Sequence, residues 1–302
     1  MKIIIRFAAA LCAVALAHSL LAISNPSGGA LSGERLRLLV STDIGGNDPD
    51  DFQSMVHLFV YADLFDLEGL VSSPPFAGRK SDITAVISAY EKDYNNLKSY
   101  SNKYPTPAYL RSISFQGATS AQSGSSPSGS ISKGAQQIID KAKENDSRPL
   151  YVAVWGSITD VAQAVHKDPS IKKKIRVYSI GTWNTYVGDQ KARDYLYNNH
   201  KDLWWIENDS TLRGMYLGGT QSGDLGNKTF VSNHVKGHGA LGDFFVSKKN
   251  DIKMGDTPSI LYLLRGNADN PETFSWGGHF QKTGHGPNYW SDLTSNSWAE
   301  GS

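Results

Sequence analysis

Residues 36 to 51 read LRLLVSTDIGGNDPDD, and this stretch decides the fold. Its first part, Leu36 to Val40, is an apolar run interrupted only by Arg37, and Ser41 and Thr42 extend it. Such a run is typical of a β-strand that is buried on both faces of a sheet. The stretch therefore predicts a central strand that ends at Asp43.

A helix is predicted directly after this strand, from Phe52 to Phe65. Its apolar side chains recur at helical spacing: Phe52, Met55, Val56, Phe59 and Val60. Asp50 and Asp51 then fall at the first turn, where the partial positive charge of a helix N-terminus favours carboxylates. We therefore expect acidic side chains where the strand gives way to the helix.

The alternation of strands and helices continues along the chain. Further strands are predicted at Asp66 to Ser72, Leu150 to Trp155, Ile175 to Ile180 and Leu203 to Glu207. Further helices are predicted at Ser81 to Asn96, Ser132 to Glu144, Ile158 to His166, Gln190 to Asn198 and Thr257 to Arg265. This order predicts an α/β fold with a mostly parallel central sheet, flanking helices and right-handed crossovers.

Two long stretches interrupt the alternation. Ser114 to Ser132 is rich in Ser and Gly, and we predict a mobile loop there. Gly266 to Ser302 is rich in aromatic residues, so we expect it to pack across the domain. Loops of this length inside an α/β domain are often lids or binding loops.

Composition limits the classes of function that the chain can serve. The chain has 302 residues, of which 39% are hydrophobic, and it can therefore bury a large core. Its formal charge of +1 gives no whole-protein field that would attract nucleic acid or an anionic membrane. The single cysteine, Cys12, lies in the N-terminal apolar run, so thiol catalysis and Cys-ligated zinc are excluded for a processed chain.

The N-terminal residues have the pattern of an export signal. Lys2 and Arg6 precede an apolar run from Phe7 to Ala22 that ends in small residues. We expect residues 1–24 to be a cleaved signal peptide, 25–35 a linker and 36–302 the catalytic domain. The protein would then be secreted, or periplasmic in a Gram-negative host, without membrane contact after cleavage. A membrane anchor is the alternative, although the run is short for a bilayer span.

Four carboxylates, those of Asp43, Asp48, Asp50 and Asp51, lie close together at the end of the first strand. Open α/β sheets bind ligands at this edge. Crowded like charges require a cation or a helix N-terminus, and we expect Ca²⁺ because it accepts many carboxylates in irregular geometry. The alternative is a turn whose aspartates only cap the helix. An EF-hand is excluded because Asp48 occupies the position of its invariant glycine.

Further motifs occur between Leu36 and Trp290. They include Asp66-Leu67-Glu68-Gly69-Leu70, Val154-Trp155-Gly156, Gly181-Thr182-Trp183-Asn184, His238-Gly239-Ala240-Leu241-Gly242 and Ser275-Trp276-Gly277-Gly278. With Asp43, Gly45 and Pro49-Asp50-Asp51, they resemble the nucleoside hydrolases and, more closely, a secreted nucleoside-hydrolase-like family whose members are often described as cellulose-binding proteins. The resemblance implies an open Rossmann-like fold. A three-residue insertion before the Asp pair departs from the nucleoside hydrolases and is typical of the secreted branch.

The resemblance implies a calcium-dependent hydrolase of glycosidic bonds. Asp43, Asp51 and Asp256 would hold Ca²⁺, with Asp256 supplied by a segment that opens a late helix. Asp43 would also be the general base for an attacking water, and Asp50 would bind sugar hydroxyls. Direct attack by water would invert the anomeric centre. The alternative for Asp256 is an ordinary helix N-cap.

Additional contacts with the substrate are also expected, those of Glu207 and Asn208 because the resemblance implies them. The candidates are Glu207, Asn208, Asn184 and His238. His238 and His279 are candidates for protonating a leaving group, but a structural role is an open alternative for each. Gly78-Arg79 and Ile158-Thr159-Asp160 depart from the nucleoside hydrolase pattern, so we expect a remodelled sugar pocket.

Two functions of different classes fit these features. The first is hydrolysis of an N- or O-glycosidic bond in a nucleoside, a small furanoside or an oligosaccharide. The second is non-catalytic binding of carbohydrate, such as cellulose or another cell-wall polysaccharide, on the same fold. Asp43 distinguishes the two, because binding alone requires no general base.

Overall fold

The structure is a computed structural model that describes residues 34–45, 49–73, 78–181, 183–217 and 221–293. The predicted signal peptide, most of the predicted linker and Asp48 lie outside the described residues. None of the helices within the described ranges is long and apolar enough to cross a membrane.

A single sheet lies at the centre of the described chain, with the strand order β3-β2-β1-β4-β5-β6-β8-β7. The strands are β1 Leu36–Thr42, β2 Phe65–Ser72, β3 Ser114–Gln116, β4 Leu150–Val154, β5 Ile175–Ile180, β6 Trp205–Asn208, β7 Phe280–Lys282 and β8 Tyr289–Asp292. Neighbouring strands pair in parallel, apart from the antiparallel pair of β7 and β8. The predicted α/β class and mostly parallel sheet are confirmed.

Helices cover both faces of the sheet. They are α1 Asp50–Val60, α2 Lys80–Tyr100, α3 Pro107–Ser112, α4 Lys133–Lys143, α5 Thr159–Lys167, α6 Asp189–Asn199, α7 Gly214–Leu217, α8 Asn227–Phe230, α9 Gly239–Lys248 and α10 Pro258–Leu264. Short 3₁₀ turns occur at Ala62–Leu64, Pro169–Lys173 and Thr211–Arg213, and π-helical turns occur at Trp183–Gly188 and Val231–Val235.

Successive side chains of β1 point to opposite layers, as the two-residue period of a strand requires. Leu38 and Val40 join the core that α1, α2, α9 and α10 cover, whereas Leu39 joins the core that α4, α5 and α6 cover. Both faces of the strand are therefore buried, which explains why residues 36 to 40 are apolar apart from Arg37.

Most predicted elements are confirmed, with shifted ends. Helix α1 begins at Asp50 and ends at Val60, whereas the predicted helix continues to Phe65, which begins β2. The 3₁₀ turn Ala62–Leu64 makes this short connection. Asp50 and Asp51 therefore lie in the first turn of α1, as predicted.

The predicted mobile loop, Ser114 to Ser132, contains β3 and is hydrogen-bonded to the domain at several residues. The Gly117 N–H donates to the Ser72 carbonyl at 2.7 Å, and the Gln122 N–H donates to the Asp189 carboxylate at 2.7 Å. In the aromatic C-terminal stretch, Phe280 and Trp290 join the core, so the predicted packing is confirmed up to residue 293.

Candidate functional site

The carboxyl ends of β1, β2 and β4 meet at one edge of the sheet. Backbone pairing continues past the ends of the strands, since the Ser73 N–H donates to the Thr42 carbonyl and the Trp155 N–H donates to the Ser41 carbonyl, each at 2.7 Å. The segments that follow β2 and β4 are thereby held on either side of Asp43.

Three aspartates form an acidic group at this edge. One carboxylate oxygen from each of Asp50, Asp51 and Asp256 lies within 4.8 Å of the other two. Asp51 and Asp256 are only 4% and 1% exposed, and Asp50 is half-buried. Buried carboxylates this close together repel one another unless a positive charge lies between them, and hard oxygen donors match Ca²⁺ or Mg²⁺. The donor set therefore fits a divalent cation.

Thr42 orients one member of this group. Its hydroxyl donates to the Asp51 carboxylate, and the same oxygen accepts the Ile44 N–H at 3.1 Å. The last residue of β1 thus connects the strand to the first turn of α1, and the strand-to-helix junction holds Asp51 in place.

Asp256 reaches the group from the segment before α10. Its backbone carbonyl accepts the Ser259 hydroxyl at 2.7 Å, and the Ser259 oxygen accepts the indole N–H of Trp155 at 2.8 Å. The N-cap position of α10 is Thr257, so Asp256 lies one residue before the cap rather than at it. Thr257 itself has helical φ and ψ, and the Ser259 N–H donates to the Asp256 carbonyl at 3.2 Å, so capping of α10 by Asp256 stays open as the alternative.

Asp43 lies in a close-fitting cradle between two glycines and is 8% exposed. A Cβ atom on Gly156 would lie 2.7 Å from both the Cβ and the backbone nitrogen of Asp43, and one on Gly78 would lie 3.2 Å from its Cα. The sequence motifs contained both glycines, but their spacing gave no sign of this contact. Only glycine permits so close an approach.

The acidic group differs from the predicted ligand set in one member. Asp50, which was expected to bind sugar hydroxyls, supplies the third clustered oxygen together with Asp51 and Asp256. Asp43 is not one of the three residues whose oxygens meet the 4.8 Å condition. Its roles as metal ligand and general base stay predictions.

Glu207, the third residue of β6, is held in a buried ion pair. Arg193 of α6 donates to both carboxylate oxygens, at 2.8 and 3.1 Å, and the hydroxyls of Tyr289 and Thr185 also donate to them. Burial and the neighbouring Glu207 carboxylate raise the pKa of Tyr289. Because four protein donors already occupy the two oxygens, the expectation that Glu207 is a main sugar contact is corrected.

Asn208 is fully buried and points into the core. Its side-chain amide donates to the Tyr178 hydroxyl at 2.8 Å, and its carbonyl oxygen accepts the Leu212 N–H at 3.1 Å. These contacts use the side chain to connect β6 to the turn that follows it. The expectation that Asn208 binds the substrate is therefore corrected, and a glycan at this position would have no room.

Asn184 lies at the predicted edge of the sheet. Its side-chain amide donates to the backbone carbonyl of Trp155, so it joins the segment after β5 to the end of β4. The side chain is half-buried. A contact between Asn184 and a substrate stays a prediction.

His238 lies away from the acidic group. It directly precedes α9, whose first N–H groups, from Ala240 and Leu241, donate to Asp93 of α2. The start of α2 lies at the acidic edge, where Asp82 faces Gly45, and Asp93 is about 16 Å further along the helix. The expected contact between His238 and the substrate stays a prediction. His279 is also held elsewhere, with Nε2 3.0 Å from the Glu272 carbonyl oxygen.

Asp160, in the segment that departs from the nucleoside hydrolase pattern, connects two parts of the structure. Its buried carboxylate accepts the Ala118 N–H at 3.0 Å and the Ser132 hydroxyl. Both ends of the segment between β3 and α4 are therefore fixed to the start of α5. Burial raises the pKa of Asp160.

The sequence from residue 37 to residue 280 matches a family described as cellulose-binding Sde182, nucleoside hydrolase-like domain. The chain belongs to this family. No curated protein is similar enough to the chain to match it.

A solved structure with 28% sequence identity is similar to the Sde182-like chain, with a TM-score of 0.70. It is a nucleoside hydrolase-related protein from Saccharophagus degradans that is associated with carbohydrate metabolism. The match covers 86% of the chain and 66% of the Saccharophagus protein, so the chain spans less than two thirds of that protein's length.

More distant structures share the fold. The inosine-uridine preferring nucleoside hydrolase from Bacillus anthracis has 15% identity and a TM-score of 0.51, with 78% of the chain and 83% of that enzyme covered. A plant nucleoside hydrolase has 12% identity and a TM-score of 0.50, with 76% and 79% covered. The predicted nucleoside-hydrolase-like, open Rossmann-like architecture is therefore confirmed.

Proposed function

We propose that the protein hydrolyses a glycosidic bond, of N or O type, in a nucleoside, a small furanoside or an oligosaccharide. The observation that carries the proposal is the convergence of Asp50, Asp51 and Asp256 at the carboxyl edge of a nucleoside-hydrolase-like sheet. Asp50 and Asp51 come from one end of the domain sequence and Asp256 from the other. A helix cap alone would not require the distant aspartate.

The acidic group would hold a divalent cation, for which we propose Ca²⁺. Asp50, Asp51 and Asp256 offer three hard oxygen donors, and Thr42 keeps the carboxylate of Asp51 in place. A bound divalent cation supplies positive charge that lowers the pKa of a nearby water and can orient a substrate. Asp43 remains a further candidate ligand at the same edge.

Asp43 would accept the proton of the attacking water. Asp43 directly follows the central strand β1, and Gly78 and Gly156 pack against its backbone and Cβ. A general base must be held within hydrogen-bonding reach of the proton that it removes, and this cradle limits the movement of Asp43. Direct attack without a covalent intermediate predicts inversion at the anomeric carbon.

Non-catalytic binding of carbohydrate is the second candidate function. It is favoured by the match to a cellulose-binding family and by the loss of two predicted sugar contacts, since Glu207 and Asn208 bond to protein groups. The partner would be cellulose or another cell-wall polysaccharide. We propose no nucleic acid partner.

A hydrolysis screen with Asp43→Asn as the control variant separates the two candidates. Nucleosides, aryl furanosides and plant-wall oligosaccharides are incubated with the full chain, with and without a calcium chelator. A hydrolase should release product from at least one substrate, and this release should be lost with the chelator and in Asp43→Asn. A binding protein should instead sediment with cellulose both as wild type and as Asp43→Asn. Hydrolysis with retention of anomeric configuration would contradict direct water attack.

We also propose that the protein is secreted, or periplasmic in a Gram-negative host. The support is the sequence of residues 1–24, in which Lys2 and Arg6 precede the apolar run. N-terminal sequencing of the exported protein tests this proposal. A mature chain that begins within residues 23–29 is expected, and an intracellular chain that retains Met1 would contradict it.

A further inference from the structure

The chain between α9 and α10 carries Asp256 to the acidic group. Helix α9 ends at Lys248 and α10 begins at Pro258, and residues 249–257 between them contain no helix or strand. Without a ladder of regular hydrogen bonds, the backbone groups of this segment require other partners. These partners also fix the position of the segment.

The side chain of Gln53 provides three of these hydrogen bonds. Its amide nitrogen donates to the carbonyls of Lys249 and Asp251, at 3.2 and 2.9 Å. Its amide oxygen accepts the Lys253 N–H at 2.7 Å. Gln53 is fully buried, and both of its amide N–H donors are used. One side chain of α1 therefore bonds to the segment at three residues.

A second side-chain amide, that of Asn227 in α8, holds the same segment. It donates to the Ile252 carbonyl at 3.2 Å, and its oxygen accepts the Ile252 N–H. Asn227 is half-buried. The backbone of residues 251–253 is therefore held by two amides from different helices, shortly before Asp256.

Gln53 lies two residues after Asp51 in α1. The helix that supplies Asp50 and Asp51 therefore also binds the segment that supplies Asp256. Buried carboxylates repel one another, whereas the hydrogen bonds of Gln53 keep the two parts of the chain together. These hydrogen bonds join protein groups, so they act with or without a cation.

We propose that Gln53 is a positioning residue for the acidic group, with Asn227 as a second support. Gln53 would set the separation of Asp51 and Asp256, and thereby the affinity of the acidic group for a divalent cation. The proposal rests on the cation site of the proposed function, but it does not require hydrolysis.

Calorimetric titration of the full chain with calcium tests this role. Gln53→Leu keeps a side chain of similar size and removes the amide, so calcium should bind about tenfold more weakly than to the wild type. Gln137→Leu is the matched control, because the buried Gln137 amide donates to the Glu68 carbonyl at 2.7 Å, in β2 before its carboxyl end. Its calcium affinity should equal that of the wild type. Wild-type affinity in Gln53→Leu would overturn the proposal.

Hydrogen exchange at residues 249–256 separates positioning from a general loss of stability. With chelator, exchange there should be faster in Gln53→Leu than in the wild type. Saturating calcium should slow the exchange in this variant, because a cation bound by Asp256 restrains the same segment. Exchange in Gln53→Leu that is equally fast with calcium and with chelator would overturn the positioning role.

Asn227→Ala gives a second test at a less buried position, which decides the matter if Gln53→Leu does not fold. It removes both hydrogen bonds to Ile252, so calcium should bind about threefold more weakly. Asn233→Ala is the control, because the Asn233 amide donates to the exposed Asp224 carboxylate at 3.0 Å, and its calcium affinity should be unchanged. Wild-type affinity in Asn227→Ala would overturn the proposal.

Failure of the proposed function has a different signature. A wild type that does not bind calcium would contradict the cation site and the role of Gln53 together. A wild type that binds calcium but hydrolyses no substrate would contradict the hydrolase function alone, and the calcium affinities would still decide the role of Gln53.

Discussion

A carboxylate oxygen of Asp256 lies within 4.8 Å of one from Asp51, although Asp51 belongs to α1 and Asp256 precedes α10. The two residues come together only when both ends of the domain sequence have folded onto the sheet. A cation that binds between them would bind the folded chain in preference to the unfolded chain, and it would therefore stabilise the fold.

Asp256→Asn should remove most of the stabilisation by calcium. At a calcium concentration one hundred times the Kd, the wild type should gain about 2.7 kcal/mol in the free energy of unfolding. Without calcium, the variant should be as stable as the wild type or more stable, because one buried like charge is gone. Thermal unfolding with calcium and with chelator measures both effects. Asp140→Asn, on the exposed face of α4, is the control and should be stabilised by calcium as much as the wild type. The same stabilisation in Asp256→Asn would contradict a cation site at Asp256.

Gly156→Ala should displace Asp43. The added methyl group would lie 2.7 Å from the Asp43 Cβ and nitrogen, so the end of β1 must shift, at a cost of about 1 to 3 kcal/mol. Hydrolysis should be lost while calcium still stabilises the protein. Gly284→Ala, where an added Cβ meets nothing within 4 Å, is the matched control. Activity equal to wild type in Gly156→Ala would show that the position of Asp43 is unimportant.

Arg193→Ala should destabilise the fold strongly. Arg193 and Glu207 are 8% and 2% exposed, so the substitution leaves a buried carboxylate without its cation, at a cost of about 3 to 5 kcal/mol. Urea unfolding measures this change. Glu91→Ala breaks the exposed ion pair with Arg111 and should cost less than about 1 kcal/mol. Similar losses of unfolding free energy in Arg193→Ala and Glu91→Ala would mean that the ion pair of Arg193 and Glu207 is not desolvated.

Asp160→Ala should loosen the segment between β3 and α4. The Ala118 N–H would lose its acceptor and the Ser132 hydroxyl its partner, which should cost about 2 to 3 kcal/mol. Hydrogen exchange should increase at residues 117–132 before it increases in β1. Asp160→Asn, which retains one acceptor oxygen, should have a smaller effect. Unchanged exchange in Asp160→Ala would show that other contacts hold the segment.

His57 should make the fold sensitive to mild acid. Its pKa is near 6.5 in an unfolded chain and about 4 in the folded protein, so between these values the unfolded chain binds more protons. Stability therefore falls as the pH falls from about 6.5 towards 4, by at most about 3 kcal/mol from this residue. Urea unfolding at several pH values should show a smaller loss for His57→Phe. Equal losses in both proteins would contradict a buried, neutral imidazole.

Local sequence patterns predicted most of the central sheet and the first acidic turn. The apolar run of β1 and the helical spacing after it are properties of neighbouring residues, so they placed Asp50 and Asp51 correctly. The link from these residues to Asp256 came from family resemblance, because spacing along one chain does not reveal contacts between distant segments. Short edge strands such as β7, with three residues, gave too little periodicity to be recognised.

The errors at the site have a common physical cause. Glu207 and Asn208 are the last two residues of β6, at the expected edge, but their hydrogen bonds are set by partners from other elements, including Arg193, Tyr178 and Tyr289. The side chains of Glu207 and Asn208 therefore bond to other protein groups rather than to a ligand. The role of Gly156 also escaped prediction, since it depends on the approach of another strand.

The short outer strands determine how another molecule can approach the described part of this protein. Strands β3 and β7, at the two ends of the sheet, are three residues long, and β7 pairs in the antiparallel direction. An incoming peptide could extend the sheet over only a few backbone groups at either side, which disfavours β-augmentation and fibre growth. A polymer would instead have to be recognised by side chains of the helices or of the segments at the carboxyl ends of the strands.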